Sequence, residues 1–327
     1  MTGYPKITVI IPAYNSAKTI RRSVKSVLVS NYPDFEIIVV DDASTDDSAE
    51  AVSDLACKTI ALDKNSGPGV ARNRGVEYAS GEIVAFVDAD CEVPGDWLGK
   101  IADDFKNHDI GATSGGYSKS GSSNFIALFQ FYDTRFMQRN IPQYINSCIT
   151  SNFAARTKIF KETGGFPSKR INEDMEFGLV LSKKHKILWN RDNGVLHNFD
   201  DSPGRYFKKQ IIWAESATGL YFSDPSSIFK KHTYNNAEIL SHLLFTGLLY
   251  VSPAALFRNL FPAIVPLLIL FYFIMNARFI RFVAKEKKYI FALKTFSFLY
   301  VRNTAWLLGI TRAIFRHPTK NLSKVKI

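Results

Sequence analysis

Short apolar runs alternate, along the first 90 residues, with segments whose apolar residues recur every three or four positions. Four runs are largely apolar and have the length of strands, namely residues 7–11, 35–40, 59–62 and 83–87. Residues 17–28 follow the first run and have the apolar spacing of a helix that packs on a sheet. Repeated strand and helix units with short connections predict an α/β fold, with a mostly parallel sheet flanked by helices.

Helices are also expected after the other three predicted strands. Residues 44–47, Ser-Thr-Asp-Asp, supply a cap and first-turn acids for a helix between the second and third strands. Residues 65–69 lead into a helix that contains Arg72, and Pro94 and Trp97 open another. Each predicted strand therefore ends in a polar turn.

The fourth run leads directly into two carboxylates that are one residue apart, Asp88 and Asp90. In an open α/β sheet, ligands bind in the crevice outside the carboxyl ends of the strands. Mg²⁺ and similar hard cations accept one or two carboxylates and complete their shell with water and phosphate oxygens. The two acids therefore predict a site for a metal ion and a phosphate group, although a D-x-D pair alone is a weak signal.

Six motifs extend this pattern over about residues 5–222. The chain contains, in this order, VIIPAYN, EIIVVDDASTDDS, NSGPGVARNRG, GEIVAFVDAD, SNFAARTKIFKETGGF and NEDMEF. In order and spacing they resemble the family 2 glycosyltransferases, which have the GT-A fold. The resemblance implies transfer of a sugar from a nucleotide diphosphate donor, with inversion at the anomeric carbon.

The resemblance also implies a binding site for the donor. A nucleoside pocket would include residues of the first polar turn and of two later motifs, namely Pro12, Ala13, Tyr14, Asn15, Asp42 and Arg72. Asp42 would accept a hydrogen bond from the base, and Arg72 would reach the base or a phosphate. Asp88 would lie near the ribose and diphosphate, and Asp90 would hold Mn²⁺ or Mg²⁺, with Asp88 as a further candidate ligand. These roles agree with general chemistry, because aromatic faces stack on bases and cations neutralise phosphates.

A second pair of acids, Glu173 and Asp174, follows the turn at residues 164–167. Acids in the first turn of a helix usually only complement the helix dipole. The resemblance instead implies that Asp174 is the catalytic base, which takes the proton of the acceptor hydroxyl. Glu173 would support it, by positioning Asp174 or by binding the acceptor.

Polar residues after the acid pair are further candidates. His197 ends a short apolar run at residues 195–197 and is either a third metal ligand or a structural histidine. Arg205, Lys209 and Trp213 are candidates for contact with the diphosphate or the acceptor. Processive polysaccharide synthases of this family carry Q-x-x-R-W near this position, and this chain lacks the arginine, which weakens a prediction of polymerisation.

Residues 115–150 contain a loop rich in serine and glycine and then an aromatic stretch. In GT-A enzymes the acceptor-recognition segment falls in this region. The loop at residues 118–123 is a candidate lid or acceptor edge. The aromatic stretch at residues 125–136 is equally well explained as a helix of the core.

Composition changes at about residue 230, and we predict a catalytic domain at residues 1–230 and a basic, apolar helical region at residues 231–327. From residue 228 onward there are 15 Lys and Arg against 2 Asp and Glu, whereas the chain as a whole carries a net charge of +11. The uncharged runs 239–257 and 260–277 are just long enough to span a bilayer, as two spans or as a re-entrant hairpin. Residues 289–312 are expected to form an interfacial amphipathic helix.

The basic cluster between Arg278 and Lys288 is expected to lie at anionic lipid headgroups, because it alternates with membrane-length apolar runs, so nucleic acid is not the expected partner. A buried helical hairpin that forms a homo-oligomer is the soluble alternative. The three cysteines, Cys57, Cys91 and Cys148, form no C-x-x-C pair and fit a reducing compartment. We therefore expect a protein of the cell membrane with its catalytic domain on the cytoplasmic face.

The predicted activity is transfer of a sugar from a UDP-sugar or GDP-sugar to a hydroxyl or phosphate of a membrane-associated acceptor. Such acceptors include a lipid-linked glycan, a polyisoprenyl phosphate and a precursor of a cell-envelope polysaccharide. A sugar nucleotidyltransferase is the first alternative, but its glycine-rich loop is replaced here by residues 12–15. The second is a noncatalytic membrane scaffold that keeps the fold, although such a protein would be expected to lose Asp90 or Asp174.

Overall fold

The structure is a computed structural model, and it describes residues 4–169, 171–223, 246, 247 and 261–316. The chain divides into two compact units. The sheet unit contains the described residues up to 123 and those from 140 to 199. The helical unit contains residues 124–139, 200–223, 246, 247 and 261–316. This division differs from the predicted boundary at residue 230, because residues 124–139 and 200–223 group with the C-terminal helices.

The sheet unit is built on a nine-stranded sheet in the order β3-β2-β1-β4-β8-β6-β9-β5, with β7 paired to β9. The strands are β1 Ile7–Ala13, β2 Phe35–Asp41, β3 Lys58–Ala61, β4 Ile83–Phe86, β5 Cys91–Glu92, β6 Ile110–Ser120, β7 Tyr144–Ile145, β8 Phe153–Arg156 and β9 Lys186–His197. All four predicted strands are present. β1 and β2 are buried along most of their length, as their apolar runs predicted.

The sheet is mixed, so the prediction of a mostly parallel sheet holds only for its N-terminal part. β1, β2, β3 and β4 pair in parallel, and so do β6 and β9. β8 is antiparallel to both of its neighbours, β4 and β6, and β5 and β7 are antiparallel to β9. The apolar pattern cannot report direction, because a strand buried on both faces has the same pattern in either orientation.

Helices pack on both faces of the sheet. They are α1 Ile20–Leu28, α2 Pro68–Glu77, α3 Trp97–Asp104, α5 Thr157–Glu162 and α6 Glu173–Leu181. The predicted helix between β2 and β3 is wrong, since only a 3₁₀ turn at Glu50–Val52 forms there. Ser48 and Asp46 explain the difference, because their side chains bond the backbone of Ser16 and Ala17 after β1 and so hold this segment as a loop.

The helical unit consists of α4 Phe125–Gln138, α7 Pro203–Ser223, α8 Phe261–Glu286 and α9 Tyr289–Arg316. Its core is aromatic, and the rings of α4 contact those of the two C-terminal helices. Phe129 and Phe298 have ring centroids 4.8 Å apart, and Phe136 and Phe279 have centroids 5.1 Å apart. The aromatic stretch at residues 125–136 is therefore a core helix, as one of the two interpretations predicted.

A buried polar cluster joins α4, α7 and α9. Arg302 is 2% exposed and forms an ion pair with Asp133 of α4. Its guanidinium also lies 4.7 Å from the ring centroid of Trp306, whose indole N–H donates to Gln210 of α7. The side-chain oxygen of Asn303 accepts from Arg302 Nε and Nη2 at 3.1 and 2.9 Å. A charge buried in this way must be paired, so the cluster fixes which faces of these helices meet.

Among the helices that the structure describes, none combines the length and the apolar composition required to cross a bilayer. The predicted run 239–257 lies outside the described residues except for 246 and 247. The run 260–277 falls mainly within α8, which continues to Glu286. The predicted helix at residues 289–312 is confirmed as a helix by α9, and its contact with a membrane stays a prediction.

Candidate functional site

The turns after β1 and β2 are bound to each other by side-chain hydrogen bonds. Asn15 has a φ of 50°, and its backbone N–H donates to Ser44 Oγ at 3.0 Å. Its side-chain oxygen accepts from the N–H of Thr45 at 2.8 Å. Ser48 Oγ accepts from the N–H of Ser16 at 2.7 Å. The edge of the sheet that was predicted to bind a nucleoside is therefore a cross-braced pair of turns.

Tyr14 projects from this braced pair and is 48% exposed. Its ring is the accessible aromatic surface that the nucleoside prediction requires. Pro12 is partly exposed beside it, whereas Ala13 is 2% exposed and belongs to the sheet core. Of these predicted pocket residues, Tyr14 thus offers the most accessible side chain.

Asp42 has a structural task at the start of α2. It is buried, and its two carboxylate oxygens accept from the N–H groups of Ser66 and Gly67 at 2.7 and 2.8 Å. These residues lead into α2, and Gly67 has a φ of 95°, a left-handed conformation that glycine adopts readily. Asp42 therefore orders the start of α2, and its contact with a base stays a prediction.

Asp88 and Asp90 lie in the turn between β4 and β5, and β9 brings His197 to the same place. Because β5 and β9 are antiparallel, His197 is the register partner of Cys91. His197 Nε2 lies 3.6 Å from Asp90 Oδ1, and one ligand atom each from Asp90, Cys91 and His197 fall within 4.8 Å of one another. The predicted proximity of His197 to the carboxylate pair is thus present.

These side chains are suitable ligands for a divalent cation. A carboxylate suits Mn²⁺ and Mg²⁺, and an imidazole nitrogen beside it is a ligand that transition metals accept more readily than Mg²⁺ does. His197 Nδ1 is buried and has no hydrogen-bond partner among the described residues, so this nitrogen does not hold the ring in a fixed tautomer. Cys91 is fully buried, and its thiol donates to Asp90 Oδ1 at 3.6 Å. Asp90 and His197 therefore fit a metal better than Cys91.

Asn198 is a site residue that sequence reasoning missed. Its backbone N–H and its side-chain amide both donate to the carbonyl oxygen of Asp90, at 2.9 and 3.0 Å. This pair of bonds ties the end of β9 to the D-x-D turn. A polar residue directly after His197 was visible in the sequence, but its partner 108 positions away was not.

Arg72 joins the two acid pairs of the site. Its guanidinium, which is 3% exposed, bonds Asp88 Oδ1 at 2.7 Å and Glu173 Oε1 at 2.8 Å. The sequence predicted a contact of Arg72 with a base or a phosphate. The structure instead gives this guanidinium two carboxylate partners within the protein, at positions 16 and 101 residues away.

Asp174 lies in the first turn of α6, directly after the buried Glu173. Its Oδ1 accepts from the N–H of Met175 at 2.8 Å. Burial, and then the neighbouring Glu173 carboxylate, raise the pKa of Asp174 to about 7. An aspartate in this environment can both accept and release a proton near neutral pH, which is the property required of a general base.

The three candidates on α7 lie in the helical unit. Arg205 pairs with Asp200 at 2.7 Å and with Asp201 at 2.8 Å, and Lys209 pairs with Asp200 at 2.9 Å. Trp213 is 49% exposed. The two basic residues are therefore held by nearby acids, and the indole is accessible.

Residues 8–164 match the sequence profile of the family described as Glycosyl transferase family 2. The match includes the braced turns, Arg72 and the D-x-D turn, and it ends before Asp174 and His197. The chain is 33% identical over 230 residues to Poly-beta-1,6-N-acetyl-D-glucosamine synthase of Staphylococcus epidermidis. These residues cover 67% of this chain and 56% of the relative. It is 41% identical over 100 residues to Succinoglycan biosynthesis protein ExoO of Rhizobium meliloti. These residues cover 30% of this chain and 29% of the relative.

The chain spans less than two thirds of the length of these curated relatives. Among solved structures, it is similar to the mannosyltransferase PcManGT from Pyrobaculum calidifontis in complex with GDP-Man and Mn2+. The TM-score is 0.61 at 18% identity, over 96% of this chain and 88% of the other. This likeness supports the predicted GT-A-like fold. Residues 8–164 therefore form a glycosyltransferase family 2 domain, a domain of enzymes that transfer sugars.

Proposed function

We propose that this protein is an inverting glycosyltransferase that moves a sugar from a nucleoside diphosphate sugar to a membrane-associated acceptor. The acceptor group is a hydroxyl or a phosphate of a lipid-linked glycan, a polyisoprenyl phosphate or a precursor of a cell-envelope polysaccharide. The observation that carries the proposal is Asp174, a carboxylate with its pKa raised to about 7, connected through Glu173 and Arg72 to the D-x-D turn.

The donor side of the reaction is supported by the edge of the sheet. The exposed ring of Tyr14 offers a stacking surface for the base, and the turn that carries it is held rigid by Asn15. Asp88 and Asp90 lie at the end of the neighbouring strand, where the ribose and the diphosphate would follow. Preorganised turns of this kind favour tight binding because less conformational entropy is lost on binding.

Asp90 and His197 would hold Mn²⁺ or Mg²⁺, with Asp88 near the diphosphate. Such a cation, when bound, neutralises the charge that develops on the departing nucleoside diphosphate. The contribution of the protein is the orientation of its ligands. Asn198 fixes the backbone of Asp90, and strand pairing between β5 and β9 fixes His197.

On the acceptor side, Asp174 would take the proton of the attacking hydroxyl. The acceptor oxygen forms a bond to the anomeric carbon while the bond from that carbon to the diphosphate oxygen breaks, and the hydroxyl proton moves to Asp174. A single base that promotes direct displacement leads to inversion. Because Asp174 has a pKa of about 7, it is ionised at slightly alkaline pH and has enough basicity to assist the transfer.

The helical unit supports the membrane part of the proposal. Exposed apolar side chains of α8 include Leu267 and Ile274, which are 63% and 59% exposed. The exposed basic residues Arg278, Arg281, Lys285, Lys287 and Lys288 follow them in the same helix and the turn after it. Apolar surface beside basic residues suits the interface of a bilayer with anionic headgroups. We therefore propose a location at the cell membrane, on the cytoplasmic face where nucleotide sugars are made.

The direct test is release of a nucleoside diphosphate by the full chain, incubated with a panel of UDP-sugars and GDP-sugars, Mn²⁺ and a membrane lipid extract as the source of acceptor. We expect release with at least one donor, and none with Asp174→Asn. Formation of a nucleotide sugar from a nucleoside triphosphate and a sugar phosphate would favour a nucleotidyltransferase instead. If no donor raises the melting temperature of the protein, the scaffold alternative is favoured, because a ligand of the native state must stabilise it.

A further inference from the structure

Unlike Tyr14, Arg72 offers almost no exposed surface to a nucleotide-sugar donor. Its side chain is 3% exposed, and two of its nitrogens contact carboxylates. We infer that Arg72 is a positioning residue for Asp174, and that it acts by holding Glu173, the neighbour of Asp174, against Asp88 at the end of β4. This inference rests on the proposed role of Asp174 as the base. It replaces the predicted contact of Arg72 with a nucleotide.

The geometry requires an arginine. Nη1 bonds Glu173 at 2.8 Å and Nη2 bonds Asp88 at 2.7 Å, so both carboxylates share one planar group. The distance between Asp88 and Glu173 is thereby limited by the width of the guanidinium. Lysine presents a single ammonium on a flexible chain and imposes no comparable limit.

The next residue in α2, Asn73, supports the same arrangement. Its amide nitrogen donates to the carbonyl oxygen of Phe166 at 2.7 Å, and its oxygen accepts from the N–H of Phe166 at 2.9 Å. Phe166 lies in the turn that precedes α6. Two consecutive side chains of α2 thus hold the segment that carries Asp174, one through its turn and one through Glu173.

Gly69 shows how closely α2 and this segment pack. A β-carbon at Gly69 would lie 3.1 Å from Glu173 Cγ and 3.1 Å from the carbonyl oxygen of Pro167. The first turn of α2 therefore leaves no space for Glu173 to move towards it. Arg72 approaches the same carboxylate through its Nη1, so the side chain of Glu173 is confined by packing as well as by charge.

Arg72 also contributes to the electrostatic environment of Asp174. The charged and titratable groups around Asp174 are Glu173 on its own helix, Arg72 on α2, Asp88 after β4 and Cys148, whose thiol donates to the Asp174 carbonyl oxygen at 3.1 Å. Glu173 and Asp88 favour the protonated form of Asp174, and Arg72 favours the ionised form. Loss of Arg72 and loss of Glu173 should therefore shift the titration of Asp174 in opposite directions.

The test uses three variants of the full chain and a matched control, and it follows nucleoside diphosphate release as a function of pH, with the donor and the acceptor extract of the direct test. Arg72→Gln removes the ion pairs, Arg72→Lys keeps the charge, and Glu173→Gln removes the partner. Arg74→Gln is the control, because Arg74 lies on the same helix but its side chain is 41% exposed and pairs with Glu77. We expect Arg72→Gln to lower kcat by at least about tenfold, since small displacements of a catalytic group have large effects on rate.

The acid limb of the kcat profile should move to higher pH in Arg72→Gln and to lower pH in Glu173→Gln. Arg72→Lys should recover part of the rate, and Arg74→Gln should behave as the parent. The double variant Arg72→Gln, Glu173→Gln should be no slower than Arg72→Gln alone, since both changes break the same ion pair between Arg72 and Glu173. An unmoved limb in Arg72→Gln, or losses that multiply in the double variant, would overturn the inference and favour a contact of Arg72 with the donor.

Asp174→Asn separates this inference from the proposed function. If Asp174→Asn turns over at a nearly normal rate, the base lies elsewhere and both proposals fall. If Asp174→Asn is inactive but Arg72→Gln matches the parent in rate and pH profile, only the role of Arg72 is wrong. Should Arg72→Gln fail to fold, Arg72→Lys takes its place in the test, because that variant keeps a positive charge between the two acids. A kcat of Arg72→Lys equal to that of the parent would then overturn the inference.

Discussion

His197 Nε2 lies 3.6 Å from Asp90 Oδ1, because antiparallel pairing of β9 with β5 places His197 opposite Cys91. The two side chains come from positions that are more than 100 residues apart in the sequence. Their proximity adds a nitrogen atom to the oxygen atoms that a common D-x-D pair could offer to a cation. The importance of each candidate ligand can be measured separately.

Asp90→Ala should abolish metal-dependent binding of nucleotides, because it removes the carboxylate that would connect the protein to the cation. Calorimetry with UDP or GDP, with and without Mn²⁺, measures the effect. His197→Ala should weaken binding in Mn²⁺ by at least about 10- to 100-fold, the loss typical when even an outer-shell partner of a metal site is removed. Unchanged affinity in a folded Asp90→Ala variant would disprove the metal assignment.

Asp174→Asn should retain the donor affinity of the parent and lower kcat by about 10²- to 10⁴-fold, the contribution typical of general-base catalysis. Single-turnover assays of nucleoside diphosphate release give the rate, and calorimetry gives the affinity. Glu176→Gln is a suitable control, because Glu176 lies on the same helix and pairs with Lys169. A normal rate in Asp174→Asn together with a slow Glu176→Gln would transfer the role of base to Glu176.

The raised pKa of Asp174 also predicts a dependence of stability on pH. A carboxyl group whose pKa is higher in the folded than in the unfolded protein loses its favourable contribution as pH rises through the folded value, about 7 here. Asp174→Asn should therefore be more stable than the parent at pH 8, by about 1 to 4 kcal/mol, with little difference near pH 4. Urea unfolding at several pH values tests this, with Asp63→Asn as an exposed control. Equal stability of parent and Asp174→Asn at pH 8 would contradict the raised pKa.

Arg302→Met should destabilise the protein by about 3 to 5 kcal/mol, because it leaves Asp133, whose side chain is only 14% exposed, without its partner. Arg316→Met should lose less than about 1 kcal/mol, since the Arg316 side chain is 67% exposed where it pairs with Glu215. Urea unfolding compares the two. Adding Asp133→Leu to Arg302→Met should recover stability. Similar losses in Arg302→Met and Arg316→Met would contradict the prediction, because the buried ion pair would then stabilise the protein no more than the exposed one.

Replacement of Lys285, Lys287 and Lys288 by alanine should weaken binding to phosphatidylglycerol vesicles by about 100-fold, because each lysine near an anionic surface contributes about 1 kcal/mol to binding. Sedimentation with vesicles at two salt concentrations measures this, and high salt should reduce the difference. Replacement of the exposed Lys158, Lys183 and Lys184 of the sheet unit changes the charge equally and should have little effect. If the parent does not bind these vesicles, the membrane proposal must be abandoned.

Much of the sheet unit could be predicted from local patterns. The runs that became β1, β2 and β4 are apolar because both faces of those strands are buried, and each is followed by a polar turn at one edge of the sheet. Asp88 and Asp90 became candidates because they follow a strand, whereas Asp174 became a candidate only through the resemblance to family 2 glycosyltransferases, and the roles of all three stay predictions. His197 was found because it ends an apolar run.

The remaining features depend on contacts between distant residues. The antiparallel direction of β8, the bonds from Asn198 to Asp90 and the ion pair between Arg72 and Glu173 are set by pairing across the fold, which leaves no local pattern. The helix predicted after β2 failed for the same reason. Asp46, which was predicted to supply acid to the first turn of that helix, bonds the turn after β1 instead, and so does Ser48.

The packing of α4 bears on how the protein can be shortened for purification. Residues 124–139, which include α4, lie between β6 and β7 in the sequence but belong to the helical unit. The aromatic rings of α4 contact α8 and α9. A protein cut before α8 would expose Phe125, Phe129 and Phe136 to water and leave Asp133 without Arg302. Exposed aromatic surface of this kind promotes aggregation. Purification of the full chain is therefore a better route to an active enzyme than removal of its C-terminal helices.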